Sequence, residues 1–186
     1  MAEPAIFLDR DGVIIESARN PSAPPENLDD LRIPSGVADA LGRLRANGFA
    51  LVVVTNQPQV ARGTLTHTDV EAINDAIRQS LPVDAIYVCF HDGAACECRK
   101  PRPGLLLEAA RDLELDLPRS WLVGDRWVDI AAGAAAGVRT VLLGRDWSWA
   151  ETSAGAPAPK LAPDHIVETL TEAAELILGD DASATG

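Results

Sequence analysis

Short runs of apolar residues alternate along the chain with longer stretches in which apolar residues recur every three or four positions. The runs are typical of strands buried on both faces, and the longer spacing is typical of amphipathic helices. The run ALVVVTNQ is the clearest strand, whereas Val37, Leu41 and Leu44 lie at helical spacing and are followed by Gly48 as a stop signal. The five predicted strands are residues 5–8, 50–57, 84–89, 120–125 and 139–144.

Helices are predicted between these strands. A capping box from Thr68 to Glu71 is expected to start the second helix, and Gly137 to end the fourth. The last helix is predicted over residues 164–178, with Asp164 as its cap. This alternation of strands and helices predicts an α/β fold, in which a central parallel sheet has helices on both faces.

The length of the chain suits a single domain. It has 186 residues, of which 47% are hydrophobic, so it can bury a substantial core without cross-links. We expect one domain over residues 1–186, with a core over about 5–178. Residues 151–163, rich in Ala and Pro, predict a flexible surface loop, and residues 179–186 predict a disordered tail.

The charge and the apolar pattern exclude two classes of partner. The net charge is −12, from 28 acidic and 16 basic residues, which opposes a nucleic-acid-binding surface. The sequence contains neither a signal-peptide pattern nor an apolar run long enough to span a membrane. We therefore expect a soluble cytoplasmic monomer without nucleic-acid or membrane partners, in which a few local cations bind any anionic substrate.

Polar side chains follow three of the predicted strands. Asp9 and Asp11 come after the first, Thr55 and Asn56 lie at the end of the second, and Asp125 follows the fourth. Ligands of open α/β sheets gather at the carboxyl ends of the strands, so these side chains should converge. Converging carboxylates repel one another unless a cation neutralises them, and hard oxygen ligands suit Mg²⁺. The alternative is that the acids only cap turns and helices.

All three cysteines lie within ten positions of one another, around a histidine. The cluster consists of Cys89, His91, Cys96 and Cys98. In a reducing cytosol it predicts metal ligands or a redox site, because a disulfide framework would leave one thiol unpaired. Three thiolates and an imidazole suit a tetrahedral and closed zinc site, in which the metal is structural. Buried thiols and a reactive redox pair remain alternatives.

Four motifs in a fixed order resemble those of the haloacid dehalogenase (HAD) superfamily of phosphatases. They are DRDG after AIFL, VVVTN, Lys100, and GDRWVD. Longer stretches, FLDRDGVI, VVVTNQPQVARGTLT, CRKPRPG and GDRWVDI, together with the CxH and CxC pairs, look more narrowly like the D-glycero-D-manno-heptose-1,7-bisphosphate 7-phosphatase family. The resemblance covers roughly residues 5–145. It implies a Rossmann-like HAD fold without a separate cap domain, a phosphatase activity on a small phosphorylated sugar, and structural zinc on a CxH...CxC loop.

The resemblance also implies the roles of individual residues. Asp9 would be the nucleophile that forms an aspartyl-phosphate, and Asp11 would be the general acid and base. Mg²⁺ would be bound by the side chain of Asp9, the backbone carbonyl of Asp11 and the side chain of Asp125. The catalytic phosphate donors would include Thr55 and Lys100. The residues expected to bind substrate are Asn56, Gln57, Arg62, Arg99 and Arg126.

Two stretches depart from the heptose family. Ser17 to Asn20 match its sugar-contacting segment poorly, and the gap between the cysteine pairs is shorter, as in histidinol-phosphate phosphatases. A phosphatase for histidinol phosphate or another small sugar phosphate is therefore the alternative enzyme. A catalytically idle zinc-loop binding module is the alternative of another class, although it would require a broken motif. The sequence leaves open whether Arg62, Asp129, Trp147 and Trp149 take part in the site.

Overall fold

The apolar run Ala5–Leu8 forms the strand β1 at the centre of the protein, and every residue of it is buried. We describe the protein from a computed structural model, which covers residues 2–21, 23–93 and 96–184. Six parallel strands form one sheet in the order β5-β4-β1-β6-β7-β8. The strands that follow β1 in this sheet are β4 (Ala50–Asn56), β5 (Ala85–Cys89), β6 (Trp121–Gly124), β7 (Arg139–Leu143) and β8 (His165–Val167).

Successive residues of the central strands point to opposite faces of the sheet, and each face is covered by helices. Ile6 and Leu8 pack in the cluster formed with α1, α2 and α5, whereas Phe7 packs with α3 and α4 on the other face. The predicted α/β fold, with a parallel sheet and helices on both faces, is confirmed. The helices are α1 (Val37–Ala46), α2 (His67–Ser80), α3 (Gly104–Asp112), α4 (Trp127–Ala136) and α5 (Leu170–Ala184).

The segment between β1 and α1 is short and irregular. Its two-residue strands β2 (Glu16–Ser17) and β3 (Leu31–Arg32) form an antiparallel ladder, and a 3-10 turn spans Leu28–Asp30. In the part of this segment that the structure describes there is no separate cap domain, as predicted.

The C-terminal region differs from the prediction in two ways. His165, predicted to begin the last helix, belongs instead to β8, because the Asp164 carboxylate accepts hydrogen bonds from the Thr140 backbone N–H at 2.7 Å and hydroxyl at 2.9 Å. This contact places the β-branched pair Ile166 and Val167 alongside β7 as a sixth strand. In addition, α5 continues to Ala184, beyond residue 178 at which the predicted core ends. Residues 185–186 of the predicted tail lie outside the described residues.

Other differences are local. The capping box of α2 is formed by Thr66 and Asp69, two residues earlier than the predicted Thr68 and Glu71. Both pairs fit the same sequence pattern, and the chain uses the one that lies where the helix begins. Residues 151–163 contain neither helix nor strand, apart from a bridge between Thr152 and Gly155. Among the described residues, no helix combines the length and the apolar character needed to cross a bilayer.

Candidate active site and metal sites

The sheet order brings the predicted site residues together. β1 lies between β4 and β6, so Asp9, Thr55 and Asp125 meet at the carboxyl edge of the sheet. The Asp9 backbone N–H continues the ladder by donating to Val123 at 2.9 Å. A cavity of about 270 Å³ opens at this edge. Of the predicted site residues, those that line the cavity are Asp9, Asp11, Thr55, Asn56, Arg99, Lys100, Asp125 and Arg126.

Lys100 is the buried cation of the site. Its Nζ lies 2.6 Å from Asp9 Oδ1 and 2.6 Å from Asp129 Oδ1, and it donates to the Val54 carbonyl at 2.8 Å. Burial by itself would lower the pKa of Lys100, but the carboxylates of Asp129 and Asp9 outweigh that effect and raise the pKa. The lysine is therefore charged. Asn56 fixes its backbone, accepting from the Lys100 N–H at 3.1 Å and donating to the Lys100 carbonyl at 3.0 Å.

Asp129 belongs to the site as well as to the start of α4. Its Oδ2 accepts a hydrogen bond from the Arg126 backbone N–H at 3.1 Å, which is a helix-capping contact. Its Oδ1 forms the ion pair with Lys100. The close approach requires glycine at position 124, where a Cβ would lie 2.2 Å from the Cβ of Asp129. Asp129 thus lines the cavity and also caps the start of α4.

Three buried carboxylates form a group that can hold a cation. Oxygen atoms of Asp9, Asp125 and Asp129 lie within 4.8 Å of one another. Burial, followed by the charges of Asp9 and Asp129, raises the pKa of Asp125 to about 7. Burial, followed by the charge of Asp9, raises the pKa of Asp129 to about 6, although Lys100 opposes the shift. Asp125 Oδ1 is buried and has no hydrogen-bond partner among the described residues. A divalent cation would satisfy this oxygen and neutralise the group.

Asp11 lines the cavity, and two fully buried residues contact its carboxylate. Arg10 Nη2 lies 3.2 Å from Asp11, and Gln57 Nε2 donates to Asp11 Oδ2 at 2.6 Å and to Thr55 Oγ1 at 3.0 Å. Burial raises the pKa of Asp11, and the charge of Arg10 opposes that shift. Gln57 does not line the cavity, and its amide donates to Asp11. The substrate-binding role of Gln57 stays a prediction.

The three predicted substrate-binding arginines occupy different positions. Arg99 and Arg126 line the cavity. Arg99 donates to the His91 carbonyl at 2.8 Å and to the Ser153 hydroxyl at 2.8 Å, so its guanidinium is held in place. Arg62 does not line the cavity. It forms a two-pronged ion pair with Asp92, at 2.6 and 2.8 Å, and thereby supports the loop that precedes Arg99.

The cysteine cluster comes together as predicted. Cys89 Sγ lies 3.1 Å from Cys98 Sγ, 3.8 Å from Cys96 Sγ and 3.6 Å from His91 Nδ1, and His91 Nδ1 lies 3.3 Å from Cys98 Sγ. These separations exceed the ~2.05 Å of a disulfide bond. A tetrahedron with metal–sulfur bonds of about 2.3 Å has edges of about 3.8 Å. The separation of Cys89 and Cys96 matches that edge, and the other three are shorter. All four ligand atoms lie within 4.8 Å of one another, so the cluster can hold one metal ion.

Comparisons with known proteins agree with this geometry. A HAD-hydrolase-like family model matches residues 97–173. The D-glycero-beta-D-manno-heptose-1,7-bisphosphate 7-phosphatase of Escherichia coli is 41% identical over 155 residues, which are 76% of this chain and 79% of that protein. The protein of the same name from Photorhabdus laumondii is 34% identical over 190 residues, covering 95% of this chain and 96% of that protein. The chain belongs to the heptose-bisphosphate phosphatase family of HAD-like hydrolases.

A solved structure supports the same assignment. The crystal structure of D,D-heptose 1,7-bisphosphate phosphatase from B. bronchiseptica, complexed with magnesium and phosphate, matches with a TM-score of 0.77 at 32% identity. The match covers 95% of this chain and 99% of that chain. The predictions that this chain has a Rossmann-like HAD fold and is a phosphatase are thereby confirmed.

Two loops of this family member line the cavity with residues that no sequence motif singles out. The segment between β2 and β3 contributes Pro21, Ala23 and Pro24, and the long loop after β7 contributes the stretch around Thr152. Residues of loops without a motif carry no signal that would identify them individually.

Trp147 also reaches the site of the phosphatase. It lies in the loop after β7, and its Nε1 donates a hydrogen bond to Asp125 Oδ2 at 2.7 Å. Trp149, two residues later, is 40% exposed and does not line the cavity. Of the two tryptophans, Trp147 thus contacts a residue of the site, whereas Trp149 does not line the cavity.

Proposed function

We propose that the protein removes the 7-phosphate of D-glycero-D-manno-heptose 1,7-bisphosphate, with Mg²⁺ at the carboxylate group and structural zinc at the cysteine cluster. The observation that carries the proposal is the composition of one cavity. At the carboxyl edge of the sheet it presents Asp9 in contact with a charged lysine, and its wall presents Arg99 and Arg126. This arrangement suits a substrate that carries a reacting phosphate and additional groups that arginine binds.

The first half of the reaction uses Asp9 and Asp11. A carboxylate oxygen of Asp9 attacks the phosphorus, the bond from phosphorus to the sugar oxygen breaks, and Asp11 gives its proton to the departing oxygen. Lys100, held 2.6 Å from Asp9 Oδ1, fixes the orientation of the nucleophile and offsets negative charge on the transferred group. The Thr55 hydroxyl at the cavity wall supplies a further donor.

In the second half, water replaces the carboxylate on phosphorus. Asp11 takes a proton from that water, the bond from Asp9 to phosphorus breaks, and inorganic phosphate leaves. Gln57 and Arg10 hold Asp11 in one orientation for both proton transfers. Mg²⁺, bound by the side chains of Asp9 and Asp125 and by the backbone carbonyl of Asp11, would neutralise charge where the anionic carboxylate meets the anionic phosphate.

Zinc at Cys89, His91, Cys96 and Cys98 would act on structure. A site with four protein ligands leaves no position for a reacting water. Its last ligand directly precedes Arg99 and Lys100 in the chain, so the metal would fix the turn from which both cations reach the cavity. Protein purified without chelator should contain about one equivalent of zinc, and a metal-free protein of equal stability would contradict the proposal.

The substrate is tested by comparing kcat/KM for both anomers of the heptose bisphosphate, histidinol phosphate and simpler sugar phosphates. We expect the bisphosphate to be preferred at least tenfold, because only it offers a second phosphate to the arginines. A preference for histidinol phosphate would instead favour the alternative enzyme, as the poor match at Ser17–Asn20 and the short cysteine gap suggest.

The chemistry is tested separately with Asp9→Asn. Loss of the nucleophile should abolish phosphate release from every substrate, including p-nitrophenyl phosphate, while binding of the zinc continues. Full activity of this variant would contradict the aspartyl-phosphate mechanism. Failure of the wild type, with Mg²⁺, to hydrolyse any phosphate ester would leave the idle binding module as the better description.

A further inference from the structure

The two carboxylate oxygens of Asp125 have different surroundings. Oδ2 accepts the hydrogen bond from the Trp147 indole at 2.7 Å. The same oxygen lies against Gly12, where a Cβ would be 2.4 Å away. Oδ1, in contrast, is buried without a hydrogen-bond partner among the described residues. The Asp125 carboxylate as a whole belongs to the group that it forms with Asp9 and Asp129. The carboxylate is therefore held by one oxygen, and the other is left for a ligand.

Trp147 is placed by a loop that is fastened to the helix following Asp125. The Trp127 backbone N–H donates to the Ser148 carbonyl at 2.9 Å, and the Trp127 indole donates to the Ala150 carbonyl at 3.0 Å. The Ser148 hydroxyl is buried and accepts from the Arg145 N–H at 2.9 Å. Because α4 begins two residues after Asp125, these bonds set the position of Trp147 relative to the carboxylate it contacts.

The chemistry of an indole suits this position. Its N–H is a donor only, so it can engage Oδ2 without offering a competing acceptor. It carries no charge, so it does not repel a cation at Oδ1 as lysine or arginine would. A partner that orients a ligating carboxylate in this way typically changes metal affinity by about 10–100-fold when it is removed.

We infer that Trp147 is a positioning residue for the metal: its indole N–H fixes Asp125 Oδ2 and so presents Oδ1 to the divalent cation. The inference rests on the magnesium site of the proposed function, but it does not depend on which sugar phosphate is hydrolysed. Trp147 does not line the cavity, and its indole reaches the site by its hydrogen bond to Asp125.

The test measures binding of Mg²⁺ alone to the full chain, by calorimetric titration and by tryptophan fluorescence, for wild type, Trp147→Phe and Trp149→Phe. Phenylalanine keeps an aromatic ring but removes the donor. We expect Trp147→Phe to weaken Mg²⁺ binding about tenfold and to remove most of the fluorescence response, and Trp149→Phe to leave both within twofold of wild type. Wild-type affinity in Trp147→Phe would overturn the inference, as would a wild type that does not bind Mg²⁺.

A purely structural role gives a different pattern. Loss of packing alone would lower the Tm of Trp147→Phe equally with chelator and with Mg²⁺. The inference requires the Tm gained on adding Mg²⁺ to be smaller in Trp147→Phe than in wild type and Trp149→Phe. Equal gains in all three proteins would overturn it. The proposed function can fail independently, because a wild type that binds Mg²⁺ through Trp147 and Asp125 but prefers another phosphate ester refutes only the substrate.

Discussion

At the scale of single residues, the site depends on one buried cation among buried acids. Lys100 is 2% exposed and is in contact with Asp9 and Asp129. A charge in this environment is stable only while its partners remain, and the partners depend on it equally. The lysine therefore contributes both to folding and to holding Asp9, the proposed nucleophile.

Replacing Lys100 by methionine removes the charge and keeps most of the side-chain volume. We expect Lys100→Met to lower kcat about 10²–10³-fold, because a fixed donor at the reacting phosphate is lost. We also expect the free energy of unfolding of the metal-free protein to fall by about 3–5 kcal/mol, because the carboxylates remain buried and unpaired. Phosphate release and urea unfolding measure the two effects. Exposed Lys160→Met is the control, and a variant with wild-type kcat would refute this role of Lys100.

The sequence was sufficient to place the residues that follow the strands at the site. It was not sufficient to identify the residues that support them. Asp9 and Asp125 could be placed together because parallel strands end at one edge. Gln57 could not be distinguished from its neighbour Asn56, since both lie at the end of the same predicted strand, yet Asn56 lines the cavity and Gln57 supports Asp11. Side-chain direction at the end of a strand depends on the local backbone, which neither composition nor spacing specifies.

At the scale of elements, the wall between β2 and β3 is organised by one buried carboxylate. Asp30 accepts hydrogen bonds from the Ser17 hydroxyl at 2.7 Å and from the Arg19 and Glu26 backbone N–H groups at 3.1 and 3.4 Å. These bonds fix both ends of the segment whose prolines line the cavity. The Ser17 hydroxyl, ahead of the other donors, lowers the pKa of Asp30, so the carboxylate is ionised near neutral pH.

This wall should affect the sugar more than the chemistry. Asp30→Asn replaces an acceptor oxygen by a donor amide and should loosen the segment, because hydrogen bonds to a buried charge are lost. We expect a KM about five- to tenfold higher for the heptose bisphosphate, and kcat/KM for p-nitrophenyl phosphate within twofold of wild type. Asp29→Asn, at the exposed neighbouring position, should match wild type. Equal losses on both substrates would show that Asp30 supports the whole domain instead.

The sixth strand shows why element prediction failed near the C-terminus. The stretch from Asp164 to Leu178 reads as one helix, because its apolar residues lie three or four positions apart. What divides it is a long-range contact, the bonds from Thr140 to Asp164, together with the open edge of β7 that accepts Ile166. A local pattern cannot include a partner that is 24 residues away in the chain.

At the scale of the whole molecule, the carboxylate group links stability to pH and to metal. The pKa values of Asp125 and Asp129 are raised to about 7 and about 6 in the folded protein, from 3.8. At a pH between 3.8 and these raised pKa values, the two carboxyl groups hold protons in the folded state that they release in the unfolded state. Their contribution to stability is thus complete below about pH 4 and is lost as pH rises through about 7. Bound Mg²⁺ replaces the protons and removes this loss.

We therefore expect the Tm of chelated protein to fall by several degrees between about pH 5 and pH 8, since 1 kcal/mol corresponds to about 2–4 °C in a chain of this size. With saturating Mg²⁺ the fall should disappear. Asp125→Asn should reduce the fall in chelator, because the residue with the higher pKa no longer titrates. Scanning calorimetry at several pH values measures this, and a chelated wild type whose Tm rises over the interval would contradict it.

The loop after β7 has a consequence for how this protein can diverge. One continuous stretch contacts Asp125 through Trp147 and, six residues later, contacts Arg99 through Ser153. A deletion or insertion within it would displace both Asp125, the proposed metal ligand, and Arg99, the proposed substrate-binding arginine, in the same step. Changes of length are therefore constrained here, whereas single substitutions at exposed positions such as Ala154 are free to reshape the cavity. Descendants of this chain should acquire new sugar preferences by exchanging side chains in this loop while keeping its number of residues.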